Sequence, residues 1–229
     1  MTSLITCPIV DLSHHQPPDR CNWTQARGYG IVGAIFKAGQ GASEQDPAFA
    51  DHMWNAYEAG IPLLGGYLFL DDSDPAAQAE NLLTVMDDDF SNDLTARLIA
   101  LDLEGNPMGG SETVAGAAEV ASEIFKAIGR WPVIYMGAFG PDGKGTGLPN
   151  ATLSKCDLWI PKYGAHPRLP KGFLPPGQTP AQHGGVERLW QSTDGTANHG
   201  MPVPGLGRVD QSRAVGFSSL EELTAWWGR

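Results

Sequence analysis

The chain has 229 residues, 41% of them hydrophobic and 18% charged, which excludes a disordered polypeptide and leaves enough apolar material for one sizeable core. Its 15 Lys and Arg against 26 Asp and Glu give a formal net charge of −11, so it lacks the electrostatic footprint of a nucleic-acid binder and is expected to be repelled by anionic membranes and anionic wall polymers. The 29 glycines and 18 prolines follow no three-residue period, which excludes a collagen-like chain and points to many turns between short elements.

Short apolar runs bounded by Gly, Pro or Asp predict eight strands, at 5–11, 32–38, 63–70, 97–104, 132–136, 157–162, 188–191 and 208–210. Helical patterns fall between the early ones. Asp46-Pro47 opens a helix, with Asp46 as the expected N-cap, whose face carries Phe49, Met53, Ala56 and Tyr57 and which Gly60 ends. Asp74-Pro75 opens a second, with Ala79, Leu82, Leu83 and Met86. A third spans about 112–128, with Val120, Ile124 and Ile128 on one face, and stops at Gly129.

Beyond Met136 the helical period is lost. Residues 137–150 and 166–185 are rich in Gly and Pro, and the later strands are joined by irregular loops. A capping box from Ser218 to Glu221 predicts a short terminal helix at about 218–227. Alternating β and α units predict a parallel sheet, and eight strands in this length suit a closed barrel without its late helices. A doubly wound open sheet would need a Gly-rich phosphate loop after the first strand. Asp11-Leu12-Ser13-His14-His15-Gln16 stands there instead.

Cys7, Cys21 and Cys156 lie outside any Cys/His metal spacing and read as reduced thiols. The N-terminus has neither the basic stretch nor the apolar run of a signal peptide. Synthesis and folding in a reducing cytoplasm are therefore expected.

The strongest chemical signal is Leu98-Ile99-Ala100-Leu101-Asp102-Leu103-Glu104. Alternate side chains of a strand share a face, so Asp102 and Glu104 stand about 6–7 Å apart along it, opposite the Leu and Ile face. They end the strand, at the rim where barrel enzymes build their sites. Like charges so placed push one carboxyl to keep its proton while its neighbour ionises. Asp11 ends the first run and Asp210 the last. Strands one and eight of a closed barrel are neighbours, so those two acids are expected at the same rim. A ring of carboxylates is also a possible cation site, although His14 and His15, being adjacent, would point to opposite sides of an extended segment. Tyr67, Tyr135, Trp159, Tyr163 and Trp190 fall at comparable places. Carboxylates combined with aromatic faces describe a sugar site.

Taken in order, these blocks resemble the glycoside hydrolase family 25 lysozymes, the Chalaropsis-type N-acetylmuramidases, many of them phage endolysins. Ile9-Val10-Asp11-Leu12-Ser13 is similar to the family's opening strand, and Trp23 with the stretch from Gly30 through Lys37 to Gly41 to its second block. The segments from Asp46 to Phe49, and from Ala59 to Tyr67 and Phe69, resemble the third. Asp102-Leu103-Glu104 resembles its paired carboxylates and Pro132-Val133-Ile134-Tyr135 its fifth strand. Leu158-Trp159, Tyr163, Trp190-Gln191 and Val209-Asp210 complete the likeness. Two places depart: the family often has Tyr-His-Phe where Tyr67-Leu68-Phe69 stands, and Lys-Ala-Thr-Glu-Gly where Lys37-Ala38-Gly39-Gln40-Gly41 stands.

The resemblance implies a single (β/α)5(β)3 barrel over 1–229 that hydrolyses the β-1,4 bond from N-acetylmuramic acid to N-acetylglucosamine. It implies Glu104 as general acid/base and Asp102 as the group that orients or stabilises the substrate's acetamido group or the intermediate. Asp11 and Asp210 complete the acidic site. Substrate binding falls to Tyr67, Tyr135, Trp159, Tyr163, Trp190 and Gln191. No metal and no cofactor is implied. The expected partner is the glycan strand of bacterial peptidoglycan, with no nucleic acid and no membrane, and the expected state is a monomer. Action on the wall would follow release through a holin, lysis or an injection device. A non-catalytic glycan-binding barrel of a phage tail or secretion device is the competing function, and a barrel glycosidase acting on chitin-like chains a second.

Overall fold

A computed structural model describes residues 8–88, 96–106, 109–137, 141–142, 144–163, 185–196 and 200–228. Cys7, the start of the first predicted strand and most of the predicted loop 166–185 lie outside them. The strands are β1 Pro8–Leu12, β2 Gly33–Gln40, β3 Glu44–Gln45, β4 Leu63–Phe69, β5 Leu98–Leu103, β6 Val133–Met136, β7 Leu158–Pro161, β8 Glu187–Asp194 and β9 Asp210–Ala214. The helices are α1 Trp23–Tyr29, α2 Phe49–Glu58, α3 Pro75–Asp88, α4 Val114–Ile128 and α5 Leu220–Trp227. In sheet order the strands run β1-β9-β8-β7-β6-β5-β4-β2-β3, and β1 also pairs with β2. All except β3 thus form the closed eight-stranded barrel that the sequence predicts. α1 to α4 make the first four crossovers, and among the described residues a single 3-10 turn, Leu153–Lys155, lies between β6 and β7.

Strand alternation sorts the apolar residues into two layers. Val10, Phe36, Leu68, Leu101, Leu103, Ile134 and Ile160 point outward and pack under the helices. Ile9, Ile35, Leu63, Leu98, Ala100, Val133, Tyr135, Trp159, Leu189 and Ala214 fill the interior. Leu223, Trp226 and Trp227 of α5, with Phe217, belong to that same inner cluster. The Trp227 indole donates to the Leu64 carbonyl at 2.7 Å, and that of Trp226 to Asp157 Oδ2 at 2.6 Å. A side chain at Gly33 would put its Cβ 3.0 Å from Ile9 and 3.3 Å from the Trp227 ring. The terminal helix therefore closes the end of the barrel opposite the carboxylates.

Several local expectations shift. β9 begins at Asp210, where the sequence pattern ends a strand, and it runs antiparallel to β1 and β8. Reversal brings the N-terminal end of β9 to the rim formed by the C-terminal ends of the others, so Asp210 reaches the expected rim by the opposite polarity. Asp46 is not the N-cap of α2, which is Ala48. Its carboxylate instead accepts from Ala48 N at 2.9 Å and from His14 Nδ1 at 2.7 Å, tying the turn after β1 to the start of α2. Asp74 does cap α3, accepting from Ala77 N at 2.9 Å. α4 starts two residues late because Thr113 takes the N-cap, accepting from Gly116 N at 3.0 Å. The α5 cap is displaced by one residue: Ser219 accepts from Glu222 N at 3.1 Å, while Glu222 Oε2 accepts from Ser218 N at 2.8 Å. α1, whose Trp23 and Ala26 are buried, fills the gap between the first two predicted strands, where the β/α alternation calls for a helix but no helical face was picked out.

Trp227→Ala would leave a large void against β2 and β4 and remove the indole hydrogen bond to the Leu64 carbonyl. A loss of about 3–5 kcal/mol in unfolding free energy is expected, read from guanidinium denaturation. A loss well under ~1 kcal/mol would mean that α5 does not seal the core.

Candidate active site

Asp11, Tyr67, Asp102, Glu104, Tyr135, Trp159, Tyr163, Gln191 and Asp210 all line one cleft of about 370 Å³ at the carboxylate rim. Trp190 does not. Period-two alternation forbids adjacent residues of one strand from sharing a face, and Gln191 takes the inner position. Trp190 packs outward, its indole donating to the Lys162 carbonyl at 2.9 Å. Trp159 lines the cleft only as its floor: it is 2% exposed and donates to Ser212 Oγ at 3.0 Å. Tyr135 and Tyr67 stand edge-on to it, at ring distances of 4.9 and 6.4 Å. Tyr163 is the exposed aromatic of the set.

Asp11 and Asp210 are direct partners across the β1–β9 pairing. Between them and the tyrosines sits Gln191, 3% exposed. Its Nε2 donates to Asp11 Oδ2 at 2.9 Å and to Asp210 Oδ2 at 3.3 Å. Its Oε1 accepts from Tyr135 at 2.8 Å and from Tyr163 at 3.1 Å. Both amide hydrogens and the carbonyl are thus engaged, which makes Gln191 a brace between site groups more than the expected sugar contact.

All four carboxyls sit above the usual carboxylate range, first because burial disfavours the charged form. Asp210 raises Asp11 further, while the Gln191 amide opposes it. Asp102 is raised next by Glu104 and Asp11, and Lys37 opposes that. Asp210 is pushed up to about 6, by burial and then by Asp194. A hydrogen bond between Asp11 and Asp210 raises the first and lowers the second, so this pair holds a proton to higher pH than a lone carboxyl. Glu104, one position past β5, reaches solvent at the mouth of the cleft. Burial also moves the phenols of Tyr67 and Tyr135 upward, and that of Tyr163 to about 12, so these remain neutral donors.

Ser13, His15, Lys37, Gln40, Phe69 and Asn106 also line the cleft, although the sequence reading placed none of them among the catalytic or substrate-binding residues. Phe69 was accessible from alternation, two residues beyond Tyr67. Lys37 follows Gly33 and Ile35 on the inner face of β2. Gln40 was not accessible, because a bulge between Lys37 and Gly39 shifts the register and brings Gln40 opposite Phe69. A Cβ at Gly39 would lie 2.0 Å from the Glu44 carbonyl oxygen, so only glycine fits that bend. His14 and His15 are not on opposite sides: they occupy a turn with ring centroids 4.2 Å apart. The turn is anchored by His52, which donates from Nε2 to the Gln16 carbonyl at 2.7 Å and stacks on Phe36. Of the two departures noted above, Leu68 is buried outside the barrel and Gln40 is in the cleft.

The model of the family described as "Glycosyl hydrolases family 25" matches residues 10–200. The chain is 28% identical over 173 residues to Lysozyme M1 of Streptomyces globisporus, a match covering 72% of this chain and 58% of that protein. It therefore spans little more than half the length of that relative. Among solved structures, the bacterial lysozyme from Streptomyces coelicolor superimposes with a TM-score of 0.74 at 23% identity, over 97% of each chain. A family GH25 lysozyme from Aspergillus fumigatus does so with a TM-score of 0.70 at 25% identity, over 96% of this chain and 99% of that one.

Because the folded protein holds the Asp210 proton to about pH 6, and an unfolded chain releases it near pH 4, this group's contribution to stability is present below about pH 4 and is lost as pH rises through about 6. Asp210→Asn removes that loss. Its melting temperature relative to wild type is expected to climb between about pH 4 and 7; parallel curves would contradict the raised carboxyl.

Proposed function

The chain belongs to family 25 of the glycosyl hydrolases, and we propose that it is a peptidoglycan hydrolase, an N-acetylmuramidase that cleaves the β-1,4 bond between N-acetylmuramic acid and N-acetylglucosamine with retention of configuration. The observation that carries this is the contrast between the two carboxyls at the end of β5. Asp102 is buried, and its Oδ1 has no hydrogen-bond partner among the described residues. Glu104 stands beside it at the open mouth. A buried, unpartnered carboxylate oxygen is an acceptor waiting for a donor, and the acetamido N–H of the substrate supplies one.

In this mechanism Glu104 gives its proton to the oxygen of the departing N-acetylglucosamine. The acetamido carbonyl oxygen of the muramic acid attacks its own anomeric carbon as that C–O bond breaks. Asp102 accepts the acetamido N–H and stabilises the positive charge that develops on the resulting oxazolinium ring. Glu104, now ionised, takes a proton from a water that opens the ring at the anomeric carbon. Two inversions restore the original configuration. Tyr163 offers its ring at the mouth, and Asp11 and Asp210, braced by Gln191, keep the acidic wall in place. The partner is the glycan strand of the wall, met by a monomer after release through a holin, lysis or an injection device.

Glu104→Gln keeps the shape but cannot deliver a proton, so turbidity clearing of purified peptidoglycan is expected to fall by about 10²-fold or more with an unchanged melting curve. Near-wild-type clearing would remove Glu104 from the reaction and favour a binding barrel. Asp102→Asn is expected to lower turnover strongly while glycan binding persists; lost binding with intact turnover of bound substrate would contradict its role.

Retention itself is readable by NMR of the fresh reducing ends, which should appear first as the β-anomer. A substrate lacking the muramic acetamido group should be cleaved far more slowly. Cleavage at a comparable rate would transfer the nucleophile's role to an enzyme carboxylate.

A further inference from the structure

Among the described residues lining the cleft, Lys37 is the one lysine or arginine beside four carboxyls. Its side chain is 12% exposed. A cation so buried usually lies against a carboxylate, yet the group that accepts from its Nζ is the neutral amide of Gln40, at 3.1 Å. Glu44 is 4.0 Å away and its side chain is 58% exposed, so solvent screens that pair. The Phe69 ring lies 5.6 Å below the ammonium. The bulge in β2 produces this arrangement: it places Gln40 opposite Phe69, and Phe69 is in turn opposite Asp102 on β5. Lys37 therefore stands on the acidic wall with much of its charge left to act on the other groups.

We propose that Lys37 is a positioning residue of the site, whose ammonium keeps Asp102 ionised while Glu104 beside it holds its proton. This rests on the roles given to Asp102 and Glu104 above. Asp102 faces Glu104 on its own strand, Asp11 from β1, Asp210 from β9, and the neutral phenols of Tyr67 and Tyr135 from β4 and β6. Those three acids all raise the cost of charge on Asp102, and its burial raises it further; Lys37 is the group that lowers it. Glu104, nearer solvent, shows no comparable influence of Lys37. Burial alone would push Asp102 above the more open Glu104; the cation acts on Asp102 of the pair and works against that order.

The test removes the charge but keeps the apolar stem. In Lys37→Met the acidic limb of the pH profile of kcat, set by Asp102 ionisation, should move to higher pH by about one unit or more. In Lys37→Arg it should stay near its wild-type position. The carboxyl carbon of Asp102, identified in ¹³C spectra by its absence from Asp102→Asn, should titrate with the same upward displacement in Lys37→Met and again be restored by arginine. A purely structural Lys37 would lower the melting temperature and leave both titrations in place, and that outcome would overturn the proposal. If the wild-type protein fails to cleave peptidoglycan, the hydrolase assignment falls. The carboxyl titration still decides whether Lys37 sets the charge of Asp102.

Discussion

The pairing of β1 with β2 on one side and β9 on the other closes the sheet, and the cleft depends on that closure. An eight-stranded barrel has an interior only wide enough to be filled by side chains. Here the lower levels are taken by Ile9, Ile35, Leu63 and Leu98 over the Trp227 plug, and the middle by Tyr135 and Trp159. Polar groups are left the level above, at one end. Closure also makes Asp11 and Asp210, nearly two hundred positions apart in sequence, direct neighbours. If β9 ran parallel to β1, a side chain at its first residue would face α5 at the sealed end.

The same packing sets the electrostatics. Beneath the acids lie aromatic rings and the buried Trp159–Ser212 hydrogen bond, an apolar floor that solvates charge poorly. Burial is accordingly the first cause of the upward displacement of each of the four carboxyls, ahead of their mutual repulsion. Crowding them there costs stability at neutral pH, a familiar trade in sites built for proton transfer. The fold opposes the repulsion with the Gln191 amide and the Lys37 ammonium, far less charge than four carboxylates carry.

Much of this was legible in the sequence, where the signal depended on local periodicity. Seven of the eight predicted barrel strands overlap the observed ones by several residues, because buried parallel strands read as apolar runs. Asp102 and Glu104 were legible for the same reason, two positions apart at the end of such a run. Tyr67, Tyr135 and Gln191 follow from alternation, and the same rule applied strictly would have turned Trp190 outward. What stayed hidden needed non-local information. The polarity of β9 is set by its neighbours and not by its own residues. The Gln40 position depends on a bulge that breaks the period, and the bend at Gly39 is dictated by the distant approach of the Glu44 carbonyl. The role of Asp46 was misassigned because its partner, His14, lies 32 residues away.

The hydrogen-bond inventory divides the four acids in a way that composition cannot. Asp11 and Asp210 each accept through Oδ2 from Gln191, which is itself held by two phenols, so their orientation is fixed before any substrate arrives, although Asp11 Oδ1 is buried without a partner among the described residues. Asp102 keeps one buried oxygen without a partner, and Glu104 faces the open mouth. A group whose valences are already engaged can shape a field but gains little from a new ligand. A buried acceptor without a partner gains the whole of its lost solvation when a donor arrives. Asp11 and Asp102 both keep such an oxygen, but the other oxygen of Asp11 is already held by Gln191, and Asp102 is the one that stands two positions from Glu104 at the mouth, so the proposed chemistry falls on the β5 pair by its place as well as by its unmet acceptor. The β1–β9 pair supplies the fixed negative wall against which that gain occurs.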